Sequence, residues 1–188
     1  MPHNNTEICS RYEIPEVLTV QVDTREKTPV LFPSTIRIQH PEQAGVFIVL
    51  QVNTQRVKLD YGDYRLKKFP ICCVIERKAS QLELFKNVMD HRDSIRQAKS
   101  FRKLSTCEYP YLLVEASPAE LMKVSANVRQ PDLVIHKLTV AMAKYGLHLL
   151  WIPWGRSAAR RKTLGEVMLH IMLSCAIHKN LDVLPILV

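Results

Sequence analysis

The sequence predicts one α/β domain, a central mixed β-sheet flanked by helices. Short β-branched runs crowd its first half. Helical periods alternate with strand-like runs in the second half. The chain has 188 residues and is 47% hydrophobic, enough for a single sizeable core. Closely spaced strands imply antiparallel hairpins, and helical crossovers imply parallel neighbours, so the sheet should be mixed.

The elements follow in order. Residues 1–16 are polar and read as a lead-in, with the domain proper at 17–188. The run 17–22 is a buried strand ending in the charged burst Asp23-Thr24-Arg25-Glu26. Stretches 36–38 and 46–52 are strands joined by a turn over 40–45. Val57, Leu59 and Tyr61 alternate with polar residues as in a half-exposed strand, and Gly62 breaks the pattern before Asp63. Residues 64–66 and 71–78 form an antiparallel pair across the connection at 67–70, which can bring Asp63 beside Glu76.

Ser80 and Glu83 fit a capping box for a first helix, with Leu82, Phe85, Val88 and Met89 as its apolar face. A second helix is expected over 94–104, with Ile95, Ala98 and Phe101 inward and Arg92, Arg96, Lys99 and Lys103 outward. A strand at 109–115, a short helix at 118–124, a helix from Pro131 to a stop at Gly146 and a strand at 147–152 come next. Thr163 and Glu166 offer a capping box for the closing helix, whose stripe is Leu164, Val167, Met168, Ile171, Met172 and Cys175.

The net charge of +8 favours a polyanionic partner, nucleic acid ahead of an anionic membrane surface. The N-terminus lacks the apolar segment of a secretion signal, and no run is long enough to span a bilayer. Five scattered cysteines without a C-x-x-C argue against a disulfide framework and a zinc site. An intracellular location follows as the expectation, in cytoplasm, nucleoid or nucleus.

The stretch 59–78 carries the chemistry. Glu76 and Lys78 are two apart on a strand and share a face, and Asp63 can join them from the paired strand. Two converging carboxylates repel unless a cation lies between them, and magnesium suits such oxygen ligands. Lys78 could offset charge in a phosphoryl transition state. Strand-end surface charges are an equal alternative. Asp23 and Arg25 could add to the site or form an ordinary surface ion pair. Lys67, Lys68, Lys86 and the helix bearing Arg92, Arg96, Lys99 and Lys103 could contact phosphates, as could Arg160, Arg161 and Lys162. A solvated helix face is the alternative. Trp151 and Trp154 could stack on bases or belong to the core.

V-D-T-R-E at 22–26, G-D-Y at 62–64 and V-I-E-R-K at 74–78 occur in that order. This pattern resembles the XPF-type nuclease domain, a branch of the restriction-endonuclease-like PD-(D/E)xK superfamily, over about residues 17–177. The resemblance implies a restriction-endonuclease-like fold. It implies catalytic roles for Asp23, Asp63, Glu76, Arg77 and Lys78, with Asp63 and Glu76 foremost as metal ligands and Asp23 as the third acid. Arg77 would hold DNA or brace the site, supported by Arg25 and Glu26. It implies Mg2+ or Mn2+ and a branched or flapped DNA substrate.

Two features depart from the family pattern. Leu82 stands where an aspartate is expected, and the region between the first two motifs is strand-rich where the family has a helix. No tandem helix–hairpin–helix module precedes Val188, so a stand-alone nuclease domain is expected, with a homodimer contact through the closing helix or an ordinary core stripe there. The functional expectation is a metal-dependent DNA endonuclease. A catalytically silent DNA-binding module of the same fold is the alternative, and RNA a further substrate to test.

Overall fold

A computed structural model of the protein describes residues 15–40, 45–153 and 157–180. Most of the lead-in, most of the 40–45 turn and Trp154 therefore lie outside the described residues. The element order is β1 (Val17–Asp23), β2 (Thr35–Gln39), β3 (Phe47–Val57), β4 (Tyr64–Leu66), β5 (Cys73–Lys78), α1 (Gln81–Met89), α2 (His91–Leu104), β6 (Tyr109–Val114), α3 (Pro118–Leu121), α4 (Pro131–Tyr145), β7 (His148–Trp151) and α5 (Ala158–Asn180).

Among the described residues, seven strands form one mixed sheet in the order β2-β3-β1-β4-β5-β6-β7. β2–β3, β1–β4 and β4–β5 are antiparallel; β1–β3, β5–β6 and β6–β7 are parallel. The mixed sheet predicted from strand spacing is what forms. The region between Asp23 and Gly62 is indeed strand-rich, with β2 and β3 occupying it. Val57 closes β3, whereas Leu59 and Tyr61 lie in the loop beyond rather than on a strand.

One core lies between α5 and the face carrying Val20, Val22, Tyr64 and Ile75. The other lies between α1, α2, α4 and the face carrying Val74, Leu112 and Val114. The α5 stripe of Leu164, Met168, Met172 and Cys175 is buried in the chain's own core, so core packing accounts for it without a dimer contact.

Helix boundaries differ from expectation where a competing cap is available. Asp90 caps α2, its carboxylate accepting from Arg92 N and Asp93 N at 3.0 Å, so the helix starts three residues before the predicted Ser94. The inward face of α2 is Gln97, Phe101 and Leu104, and Ile95 is 46% exposed. On α1, Leu84 is the buried residue and Leu82 is outward. α5 starts at Ala158 instead of near Thr163. Arg160 N donates to Ser157 Oγ, and Thr163 Oγ1 donates back to Ala159 O within the helix. The capping box expected there does not form.

Gly165 sets how closely α5 approaches the segment after β1. A Cβ at this position would lie 2.1 Å from Leu31 O. Helix propensity alone favours alanine over glycine by about 1 kcal/mol. Backbone cannot yield as a flexible side chain can, so Gly165→Ala should instead destabilise the protein by about 1–3 kcal/mol in urea unfolding.

Candidate active-site cleft

β4 and β5 build the site. Their register pairs Tyr64 with Ile75, and one further step sets Asp63 against Glu76. Asp63 N donates to Ile75 O at 2.9 Å, and Arg77 N donates to Asp63 Oδ2 at 2.8 Å. The carboxylate is thus fixed by the strand that carries its partner. Lys78 Nζ lies 2.6 Å from Glu76 Oε1, as strand alternation predicts for residues two apart. Glu76 and Lys78 are only 8% and 5% exposed.

Electrostatics in this cluster are strained on the acid side. Burial, and then the charge of Glu76, push the Asp63 carboxyl well above the usual aspartate range, with the Arg77 N–H opposing them. Burial works against the Lys78 ammonium, but Glu76 outweighs it and raises the pKa. Lys78 is therefore held protonated.

Asp23 does something different. It is fully buried, and four N–H groups occupy its oxygens: Arg25 N, Nε and Nη2, and Leu59 N, at 2.7–2.8 Å. Burial alone would raise its pKa; the hydrogen bonds from Arg25 and Leu59 overcome that and hold it at about 2. Its carboxylate does not line the cleft. Asp23 N donates to Asp63 O at 2.9 Å, so β1 holds Asp63 from behind through backbone. Gly62 completes the turn with φ +67°, where a Cβ would sit 2.3 Å from Val74 Cγ1.

Arg77 points to the opposite face from Glu76 and Lys78. Its guanidinium bonds Glu115 Oε1 at 2.5 Å, Glu26 Oε2 at 2.7 Å and Thr28 O at 2.9 Å. Burial lowers its pKa, while the Glu115 bond and neighbouring negative charge raise it above the ordinary arginine value. Glu26 also accepts from the Tyr64 hydroxyl, which itself accepts from Val30 N. Arg77 and Glu26 form a brace that ties β5 to β6 and to the segment after β1. Arg25 combines two positions, locking Asp23 and exposing its side chain at the cleft.

The cleft holds about 450 Å3. Besides Asp63, Glu76 and Lys78 it is lined by Arg25, Glu26, Asp60, Tyr61, Gly62, Arg77 and Glu83, and on the α2 side by Lys99, Ser100 and Lys103. Of the predicted phosphate contacts, Lys99 and Lys103 are brought to the site. Lys86, Arg92 and Arg96 are exposed on α1 and α2 outside its lining, and Arg96 pairs with Asp93. Lys67 and Lys68 lie past the other end of β4 from Asp63. Arg160 and Lys162 are exposed on α5, while Arg161 turns inward to Pro29 O at 3.2 Å. Trp151 ends β7 and packs on the helix-covered core.

Sequence reasoning misses the place of Glu83, whose spacing predicts only half of a capping box. The Ser80 half forms, accepting from Glu83 N, but the Glu83 carboxylate accepts from Ala79 N and lies 3.8 Å from Lys78 Nζ. Leu82, where the family pattern has an aspartate, is 38% exposed and does not line the cleft.

The ERCC4 domain family profile matches residues 22–159. The chain belongs to the ERCC4 domain family. Two solved structures of XPF from Aeropyrum pernix are similar to it. One has 22% identity and a TM-score of 0.50, covering 80% of this chain and 61% of that chain. The other, a complex with DNA, has 21% identity and a TM-score of 0.53, covering 87% of this chain and 67% of that one. The chain thus spans roughly two thirds of those chains' length. No curated protein sequence matches it. The ERCC4 domain here has the XPF-type nuclease fold, as the three ordered motifs predicted.

The Asp23 clamp has a measurable pH signature. Its carboxyl is depressed from 3.8 to about 2, so its ionised form stabilises the folded state above pH 4. That contribution is lost as pH falls from 4 through 2. Asp23→Asn should cost on the order of 2 kcal/mol in urea unfolding at pH 7, with the deficit closing as the pH approaches 2.

Proposed function

We propose that this ERCC4 domain is a divalent-metal-dependent DNA endonuclease, and that it acts on branched, flapped or junction DNA. The carrying observation is the opposed pair Asp63 and Glu76, with Lys78 beside it, in a cleft walled by Lys99 and Lys103. The DNA-bound Aeropyrum pernix XPF structure supports nucleic acid as the ligand class.

The donor set fits a hard divalent ion. One oxygen of Asp63 and one of Glu76 are engaged by Arg77 N and Lys78; among the described residues the other two are not hydrogen-bonded. A cation between them would relieve the repulsion that raises the Asp63 pKa. Among the described residues no group of three or more His, Cys, Asp or Glu side chains is arranged to hold a metal ion. Mg2+ or Mn2+ can be held by one or two carboxylates, with water and substrate phosphate completing the shell. Such an ion would supply Lewis-acid polarisation of the phosphoryl group and acidify a water.

The chain's own residues would do the rest. Asp63 and Glu76 would provide the anchoring oxygens and orient them through the strand ladder. Lys78, held protonated, would sit against the charge that accumulates on the phosphoryl oxygens. Lys99, Lys103 and Arg25 would hold the scissile strand by its phosphates. Asp23 would be a positioning residue, acting through the backbone of Asp63 rather than as a third ligand. Arg77 and Glu26 would likewise act by holding β5 in place.

The test incubates flapped, forked and linear duplex DNA, and the RNA equivalents, with Mg2+ or Mn2+. Cleavage of a branched DNA should require metal and vanish with a chelator. Asp63→Ala, Glu76→Ala and Lys78→Ala should each slow it by about 100–1000-fold. Metal-independent binding without cutting of any substrate would instead assign the chain a silent DNA-binding role.

A thermal measurement tests the metal site separately. An acid with a raised folded-state pKa loses folding stability as pH rises above its unfolded value. Asp63→Asn should therefore melt at a higher temperature than wild type at pH 7 without metal. Mg2+ should raise the melting temperature of wild type and leave that of Asp63→Asn nearly unchanged.

A further inference from the structure

The sheet is covered unequally. On the face that carries Asp63 and Glu76, helices pack over β5, β6 and β7, where Val74, Leu112 and Val114 join the core of α1, α2 and α4. Among the described residues, the same face of β2, β3, β1 and β4 contributes nothing to that core. The pairing registers place Arg37, Gln51, Asn53, Gln55 and Arg65 on this open face. Four of these are exposed and Arg65 is half-buried, its Nε donating to Gln21 Oε1 at 2.8 Å.

The composition of the open face is one-sided. β2, β3 and β4 contain no Asp or Glu, and the single acid of β1, Asp23, is consumed by Arg25. An ordinary solvated sheet face interleaves both signs. Here two guanidinium groups stand among amides that donate N–H, with the exposed Val17, Phe47 and Val49 on the same side; the polar groups suit phosphate and sugar oxygens. The face also runs into the cleft, because Arg65 of β4 and Asp63, just before that strand, lie on the same side two residues apart. β3 has 11 residues, a length of roughly 35 Å, about one turn of duplex DNA.

We propose that the open face of β2–β3–β1–β4 seats a duplex arm of the DNA substrate, leading into the cleft between Asp63 and the α2 lysines. The inference rests on the cleft being a DNA-processing site and extends it to a second binding surface. The face meets the backbone of the arm, so it adds affinity without sequence preference. The cleft and the face together would favour a substrate longer than the cleft alone can hold. At the far end of the face, Arg37 lies 4.2 Å from the centroid of the exposed Phe47 ring, a guanidinium–aromatic pair on which an unpaired base can stack.

The experiment measures binding of the full chain, in chelator, to two fluorescent probes. One is a duplex of about 20 base pairs, roughly two helical turns. The other is a single strand of about six nucleotides, short enough to occupy the cleft alone. Asn53→Glu with Gln55→Glu adds negative charge to the face; Arg37→Gln with Arg65→Gln removes positive charge and serves if the first pair fails to fold. Either pair should weaken duplex binding about ten-fold or more. The slope of log affinity against log salt should become shallower by about 0.9 for each phosphate the face no longer neutralises. Binding of the short strand should stay within two-fold of wild type.

Unchanged duplex affinity in a folded variant, with wild type binding both probes, overturns the proposal while leaving the nuclease reading intact. Wild type that binds neither probe overturns both. A wild-type dimer that the face variants dissociate, with duplex affinity unaltered, assigns the face to a protein contact instead and also overturns it.

Discussion

Asp63 and Glu76 are held against one another where little water reaches them. Two carboxylates in this position repel, and each also gives up hydration on burial. Packing alone would not hold them there. Three hydrogen bonds hold Asp63 in place: its N–H donates to Ile75 O, its carbonyl accepts from Asp23 N, and its carboxylate accepts from Arg77 N. Burial, and then the repulsion from Glu76, raise the Asp63 pKa. Under the proposed function, a divalent cation between the two carboxylates would offset that repulsion.

That constraint explains how work is divided along β5. Alternation sends Glu76 and Lys78 to the cleft and Arg77 to the other face, so three adjacent charged residues never compete for the same space. The cleft pair neutralise each other at 2.6 Å, and Arg77 is neutralised by Glu26 and Glu115. Burying a guanidinium that completely is costly unless its hydrogen bonds are met. Here Glu26, Glu115 and Thr28 O meet them, and the result is a rigid tie between β5, β6 and the segment after β1. Asp23 with Arg25 and Leu59 repeats the device two strands away, pinning the loop that delivers Asp63. Arg25, Glu26 and Arg77 also line the cleft, whereas Asp23, Leu59 and Glu115 do not, and both clamps set where Asp63 and Glu76 stand.

The parts legible in the sequence are those governed by strand alternation and local spacing. The apolar run before Glu76, the shared face of Glu76 and Lys78, and the hairpin that returns Asp63 to them all follow from a period of two. The fate of Asp23 is not legible. Its fourth donor is Leu59 N, thirty-six positions away, and only tertiary structure shows that its oxygens are full. The rotation of α2 is hidden for a similar reason. Ile95 has the spacing of a core residue, but α2 sits against α1 and α4 with Gln97, Phe101 and Leu104 inward, and the Asp90 cap fixes its start. The start of α5 escapes sequence reasoning because Thr163 and Glu166 match a capping box in any chain, whereas Ser157 occupies the position that the helix actually uses.

Position 82 shows why a motif has to be weighed in three dimensions. An aspartate four residues after the lysine is the missing piece of the family pattern, and its replacement by Leu82 suggests a weakened site. On α1 that residue is turned outward, and the next one, Glu83, faces the cleft 3.8 Å from Lys78. The negative charge stands one position along the helix while remaining within reach of the same lysine. Glu83 is also tethered by Ala79 N, so its carboxylate is placed by the helix terminus rather than left to wander. A charge held there favours the protonated form of Lys78, as the role proposed for that lysine would require. The departure that weakens the motif as text therefore leaves the charge balance around Lys78 intact.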